Sequence, residues 1–183
     1  MTRKAKLKHP DSVDEVVSRV QARGSHFFDA DTMCFFGWRV LCDLYRQEGG
    51  ECCFFVTSER DKVGGGARAY SVRLFHTPTA QVDSVGVFNE LTRSVALRVA
   101  RDLGAGTMQL PIWSSSSIQL PDGQKGHISD ARPEGKAWSY AVRVNDPDKS
   151  CSVYVGEFLA GALVVTYANA PDWGKHLNTE KTA

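Results

Sequence analysis

The chain has 183 residues, 42% apolar and 23% charged, a balance ordinary for a soluble globular protein and far from a disordered one. Its formal net charge of +1 argues against both an acidic nucleic-acid mimic and a strongly basic nucleic-acid coat. No apolar run approaches the ~18 residues that span a bilayer, so no membrane partner is expected and a cytoplasmic location follows.

Length favours one domain, placed at 10–170, after a basic N-terminal arm at 1–9 and before a polar tail at 171–183. Ser12 and Glu15 have capping-box spacing, and Val13, Val16, Val17 and Val20 recur with helical period until Gly24. This predicts an N-terminal helix over about 12–23, with a Glu15 to Arg19 pair on its outer side. From Trp38 to Arg46 the period changes to two, which predicts a strand. "EGGE" is a turn into "CCFFVTS", a second strand apolar on both faces. "ERDKVGGGA" reads as a flexible loop, "RAYSVRLFH" as a third strand and "VDSVGVF" as a weaker fourth.

From Glu90 to Leu103 the period is helical again, with Asn89 as cap and Gly104 as stop. Leu91, Val95, Val99 and Leu103 fall on the side to be buried, while Arg93, Leu97 and Arg101 form a second line facing outward. Residues 105–135 lose periodicity and read as a long irregular excursion with one short strand at "SIQL". Alternation returns over 136–168 in "KAWSYAVRV", "CSVYVGEF" and "ALVVTYA", read as an antiparallel meander. The fold class is therefore α+β: antiparallel sheet, a packed amphipathic helix at about 90–103 and an N-terminal helix.

Asp29 and Asp31 follow an apolar pair, as in D-x-D phosphotransferases that set a nucleophilic carboxylate and a general acid at the end of a strand. Those enzymes also need a doubly wound parallel sheet, whereas the pattern here is antiparallel, and capping of a short helix explains the same residues. Cys34 with His26, or Cys151 with His127, could pair as thiol and base, yet Cys34 lies in core-like "MCFFGW". His76, His127 and His176 lack metal-ligand spacing, and Gly64–Gly66 lack the G-K-[ST] of a phosphate loop. No cofactor is implied. Arg39, Arg73 and Arg143 alternate against apolar strand positions, and with Tyr45, Tyr70, Tyr154 and the arginines of the second helix they offer a surface for phosphate, carboxylate or a single strand. A solvated face is the simpler account of the same pattern.

"FFDADTMCFFGWRV", "FFVTSE" and "RAYSVRLFHTPTAQVDSVGVFNELTRSVALRVAR" resemble a family of small uncharacterised bacteriophage and mobile-element proteins. Its opening is "FDxDTMRFFGSRV"-like, followed by "YxVRRFD" and an arginine-bearing helix. The resemblance covers about 27–101, with Cys34 in place of an arginine and Trp38 in place of a small residue. It implies a cytoplasmic accessory protein of the host cell's interior and carries over no catalytic residues.

These readings converge on non-catalytic binding of a host protein or nucleoprotein complex, with antagonism of a host defence system as the role that setting suggests. The partner-binding residues expected are Arg93, Leu97, Arg101, Arg73, Arg39 and Tyr70. The alternatives are a nucleic-acid-binding module and, with less support, a small hydrolase or nucleotide-processing enzyme centred on Asp29 and Asp31. The five cysteines are odd in number and contain no C-x-x-C pair, which predicts reduced thiols. Thermal unfolding with and without a reductant should therefore give one midpoint, and a lower midpoint under reduction would reveal a stabilising disulfide.

Overall fold

The computed structural model describes residues 8–25, 39–40, 43–62, 65–88, 90–146, 148 and 151–171. The chain divides into two compact units, Met1–Met108 and Gln109–Ala183, where a single domain at 10–170 is the sequence reading. Among the described residues there are two five-stranded antiparallel sheets, and no strand is shared between them. The class is α+β, with helices at both predicted places.

In the first unit α1 (Val13–Ala22) is capped by Ser12, whose Oγ accepts from the Glu15 N–H at 3.2 Å. The Glu15 carboxylate does not close the capping box on Ser12. It accepts instead from the Asp11 N–H at 2.7 Å and pairs with Arg19 at 2.6 Å. Gly24, at φ 82°, follows the end of the helix in the left-handed region that glycine tolerates. The sheet contains β1 (Arg39–Val40), β2 (Tyr45–Arg46), β3 (Cys52–Lys62), β4 (Gly65–His76) and β5 (Gln81–Val85). β1 and β2 both lie along β3, β4 pairs its other side, and β5 pairs β4. The predicted flexible loop 59–67 is mostly strand. Glu59 pairs Ala69, Arg60 pairs Arg68 and Lys62 pairs Gly65, so hairpin pairing overrides the charged, glycine-rich composition.

Val16 and Val20 of α1 pack on Cys53, Phe55 and Phe75, one face of the β3–β4 pair. The second helix, α2 (Arg93–Gly104), lies on the opposite face. A Cβ on Gly104 would stand 2.6 Å from Cβ of Tyr45, whose cross-strand partner is Phe54. Burial on both sides explains why Ser71 through Thr77 are all buried without alternation.

α2 begins at Arg93, capped by Thr92, whose Oγ1 accepts from the Val95 N–H at 3.4 Å. Leu91 lies before the helix and exchanges two backbone hydrogen bonds with Tyr70, each 3.2 Å. The buried face is Ala96, Val99, Ala100, Leu103 and Gly104, one step round from the predicted line, with Val95 only half-buried. Small residues let the helix sit close to the sheet. Gly104 is inside the last turn, and Gly106, at φ 69°, follows the Ala105 cap.

The second unit has β6 (Ser117–Gln119), β7 (Lys125–Glu134), β8 (Ala137–Asn145), β9 (Ser152–Leu159), a 3-10 turn (Ala160–Ala162) and β10 (Val164–Tyr167). The irregular excursion predicted for 105–135 is corrected over its second half, which forms β7 and turns tightly into β8 at Gly135, φ 58°. Its serines are also tied down. Ser116 is fully buried, the Ile128 N–H donates to its carbonyl at 3.0 Å and the Asn169 N–H to its Oγ at 2.9 Å. The Trp138 indole donates to the Gln109 carbonyl at 2.7 Å, and the Ile112 N–H donates to the Tyr140 hydroxyl at 3.0 Å.

The predicted three-stranded meander is corrected as well: the last strand leaves it. The order is β10-β6-β7-β8-β9, so consecutive strands β9 and β10 occupy opposite edges. The link from Leu159 to Val164 reaches at most roughly 18 Å extended, and less through a 3-10 turn. A flat five-stranded sheet would separate its edges by about 19 Å, so this sheet must coil back on itself.

The backbone hydrogen bond from Asp11, and then Arg19, hold the Glu15 carboxyl below its usual 4.5. A carboxylate with a lowered folded-state pKa stabilises the fold above its unfolded value and loses that contribution as pH falls through the folded one. Glu15→Gln should therefore unfold at a lower temperature than the parent near neutrality, and the two melting curves should converge as pH drops below about 4.5. Curves that stay apart in acid would assign the difference to packing.

Candidate functional site

The predicted partner-binding residues do not form one surface. Arg93 and Arg101 are exposed and Leu97 is half-buried between them on α2. Tyr70 is half-buried and joined through its backbone to Leu91 at the entry to that helix. Arg39 belongs to β1, opposite Ser58, and its side chain lies outside the described residues. Arg73 is on the opposite face of the sheet from α2, because it pairs with Phe55 on the side that α1 covers. Arg143 is exposed on β8 and donates to the Ser152 carbonyl at 3.2 Å.

Asp29, Asp31, Cys34, His26 and His176 lie outside the described residues. Among the described residues no three histidine, cysteine or acidic side chains converge to hold a metal ion. The thiol–histidine contact that does occur is one the sequence reading missed. His9 Nδ1 lies 3.2 Å from Cys53 Sγ and 2.9 Å from Thr77 Oγ1, while Nε2 lies 2.9 Å from the Gly50 carbonyl. Donation from Nε2 to that carbonyl leaves Nδ1 to accept from the thiol and hydroxyl. Cys53 is fully buried and burial raises its pKa, so the thiolate needed for attack is disfavoured. The trio anchors the chain before α1 to the sheet. The neighbouring thiol, Cys52, is pushed up to about 12 by burial and is equally unsuited to nucleophilic work.

Apart from Phe88, the large apolar side chains exposed among the described residues lie in the second unit. On β9 these are Val153, Tyr154, Val155 and Leu159, and on β10 Val164, Val165 and Tyr167, with Val164 and Tyr167 each 61% exposed. Both strands are sheet edges, and all four residues of β10 are exposed. No charged residue occurs from Phe158 to Pro171. Natural edges are guarded by lysine, proline or a cover, and β10 has no such charge or proline. Beside β9 an open cleft of about 520 Å³ is walled by Val144, Val153 and Val155, with Lys125 and Asp146 among the polar lining residues. A period-two reading marks these strands but gives no sign that both their faces stay open.

Arg73 is the largest correction. It is 2% exposed, whereas the sequence reading places it on a solvated face. Its Nε donates to Thr57 Oγ1 at 2.8 Å and its Nη1 to Ser84 Oγ, and the guanidinium lies 4.7 Å from the centroid of the half-exposed Phe88 ring. Burial pulls its pKa down to about 10 while the Glu59 charge pushes back, so it remains a cation at neutral pH. A buried cation with two hydroxyl acceptors, an aromatic face and a nearby carboxylate is a structural polar centre. Arg73→Met should destabilise the first unit by about 1–3 kcal/mol in urea unfolding, because the buried Thr57 hydroxyl loses its guanidinium donor and Ser84 its partner. A variant as stable as the parent would show that the cation is dispensable to the core.

Residues 12–101 match the model of a family of unknown function, DUF7447. The matched span lies wholly within the first unit and contains α1, the whole sheet and α2 as far as Arg101. No curated protein and no solved structure matches the chain.

Proposed function

We propose that the protein works by binding another macromolecule without catalysis. The observation that carries this reading is the run of exposed apolar side chains on the two edge strands of the second unit. Contiguous exposed apolar surface marks interaction sites, and an unguarded edge strand adds a row of backbone donors and acceptors. Its lack of charge from Phe158 to Pro171 favours a protein partner over a polyanion. The arginine line on α2 supports a second contact area in the first unit, where Arg93 and Arg101 remain exposed.

The likeness of 27–101 to phage and mobile-element proteins supports a finer reading: an accessory protein in the host cytoplasm that engages a host protein or nucleoprotein complex and blunts a defence system. The exposed arginines of α2 are what favours the alternative of a nucleic-acid-binding module.

Tagged protein passed through a bacterial lysate should retain a protein. Val164→Lys with Tyr167→Lys should lose it, because two charges are placed on the open edge without entering the core, while Arg93→Glu with Arg101→Glu should reduce retention less than tenfold. Retention of nucleic acid that falls steeply between about 50 and 200 mM salt and disappears in the arginine pair would replace this reading with the nucleic-acid one. A magnesium-dependent phosphatase activity lost in Asp29→Asn would replace it with the enzyme reading.

A further inference from the structure

We propose that the outer half of the β3–β4 hairpin, on the face that α2 covers further in, is a phosphate-binding surface for single-stranded nucleic acid. The inference goes beyond the apolar edges of the second unit and does not rest on them.

The register assembles the surface. Partners across antiparallel strands share a face, and so do residues two apart on one strand. α2 lies on the face of Tyr45 and Phe54, so Ser58 and Arg60 of β3 and Arg68 and Tyr70 of β4 fall on that same face. Arg60 stands directly opposite Arg68, and Ser58 opposite Tyr70. Backbone register sets Arg39 of β1 beside Ser58, and the bridge from Tyr70 to Leu91 continues the row on the other side. Arg93 opens α2 two residues later and is exposed. Among the described residues β1 reaches no further out than Ser58 and β5 no further than Val72, so beyond this row the hairpin is a two-stranded ribbon.

Two arginines directly opposite one another carry a cost, because like charges in that position oppose strand pairing. Arg68 Nη1 donates to Oγ of the buried Ser58 at 3.0 Å, which draws that guanidinium toward the next row. The Arg60 side chain makes no hydrogen bond or ion pair among the described residues. Nearby carboxylates do not cancel the charge. Glu59 alternates onto the other face, in register with Ala69, and Glu90 lies just before Leu91, while the side chains of Asp61 and Lys62 lie outside the described residues. The guanidinium groups of Arg60, Arg68 and Arg93 thus meet the single described carboxylate of Glu90.

Two features select a nucleic-acid strand over an acidic peptide. Side chains directly opposite stand about 5 Å apart and successive rows about 7 Å apart, so these cations need an anion at every step of their partner. A phosphodiester chain carries one at each nucleotide, whereas an extended peptide turns every second side chain away. Tyr70, half-buried in the same row as Ser58, adds an aromatic ring on which a base stacks. Three phosphate contacts make a weak site, in the range of about 1–100 µM, too weak to dominate retention from a lysate.

The probe is a fluorescein-labelled thymidine octanucleotide, titrated with the full chain by anisotropy. Its affinity should fall with rising salt on a log–log slope of about −2, as three phosphates on a single strand give. Arg60→Glu should weaken binding at least tenfold and Arg60→Lys less than threefold. Because Arg60→Glu puts a carboxylate opposite Arg68, it should also melt no lower than the parent, which separates lost binding from lost folding. Lys136→Glu, the same charge change at an exposed turn of the second unit, should leave binding within twofold. Tyr70→Leu should weaken the thymidine strand at least threefold and leave inorganic polyphosphate unaffected. An equal loss in Lys136→Glu would reduce the binding to overall charge and overturn the proposal, as would tighter binding of a duplex of the same length. Tyr70→Leu without effect would make the ligand a bare polyphosphate and overturn the nucleic-acid assignment. Val164→Lys with Tyr167→Lys should bind the oligonucleotide no more weakly than the parent. Lysate retention of a protein with no oligonucleotide binding at low salt would sink this surface alone and leave the function proposed above standing.

Discussion

Backbone pairs run between β3 and β4 from Cys52 opposite His76 to Lys62 opposite Gly65, and helices lie on both faces of this ladder. Closure on both sides is the constraint from which the rest of the first unit follows. It requires consecutive apolar residues in "CCFFV", and it requires every polar group on the inner stretch to find a partner inside. Fully burying a phenylalanine or leucine contributes about 1.5–3 kcal/mol, so Phe54, Phe55, Phe75 and Leu74 together outweigh the cost of enclosing one solvated guanidinium. Thr57 and Ser84 on the neighbouring strands supply the acceptors that make Arg73 tolerable there.

The second unit meets the opposite condition. Its sheet has an inner side built on Ile118, Ile128, Tyr140 and Val142, all buried, while its first and last strands in the order remain open at the edge. A unit of this size keeps a small core, and coiling is how a five-stranded sheet wraps that core where no α-helix lies among the described residues. Both edge strands keep large apolar side chains exposed, which is why the proposed binding surface is drawn from this unit and not from the helix arginines.

The helices were legible because their signals are local. Ser12, Glu15 and the valine period define α1, and the leucine and valine period near 90–103 reveals α2, although its buried face turned out one step away because alanines count little in an apolar pattern. Arg73 was misplaced for a different reason. Alternation implies one wet face, and nothing near residue 73 announces that helices eighty residues apart cover both. Ser114 to Ser117 look like loop by composition, yet their polar atoms are satisfied by Ile128 and Asn169, partners that lie far along the chain. Of the residues the sequence suggests, Arg93 and Arg101 on α2 are exposed and Arg73 is buried, and the apolar edges and cleft emerge only when strand order is known.

Strand order in the second unit has a kinetic consequence. The β7–β8 and β8–β9 hairpins join neighbours in the chain and can form early, whereas β10 reaches β6 only after the unit has bent round. During synthesis β6 is made first of the five, yet one of its sides waits for the strand made last. Through that interval the nascent unit exposes the β6 edge, so the moment of greatest exposure to misassociation comes just before Val164 to Tyr167 leave the ribosome.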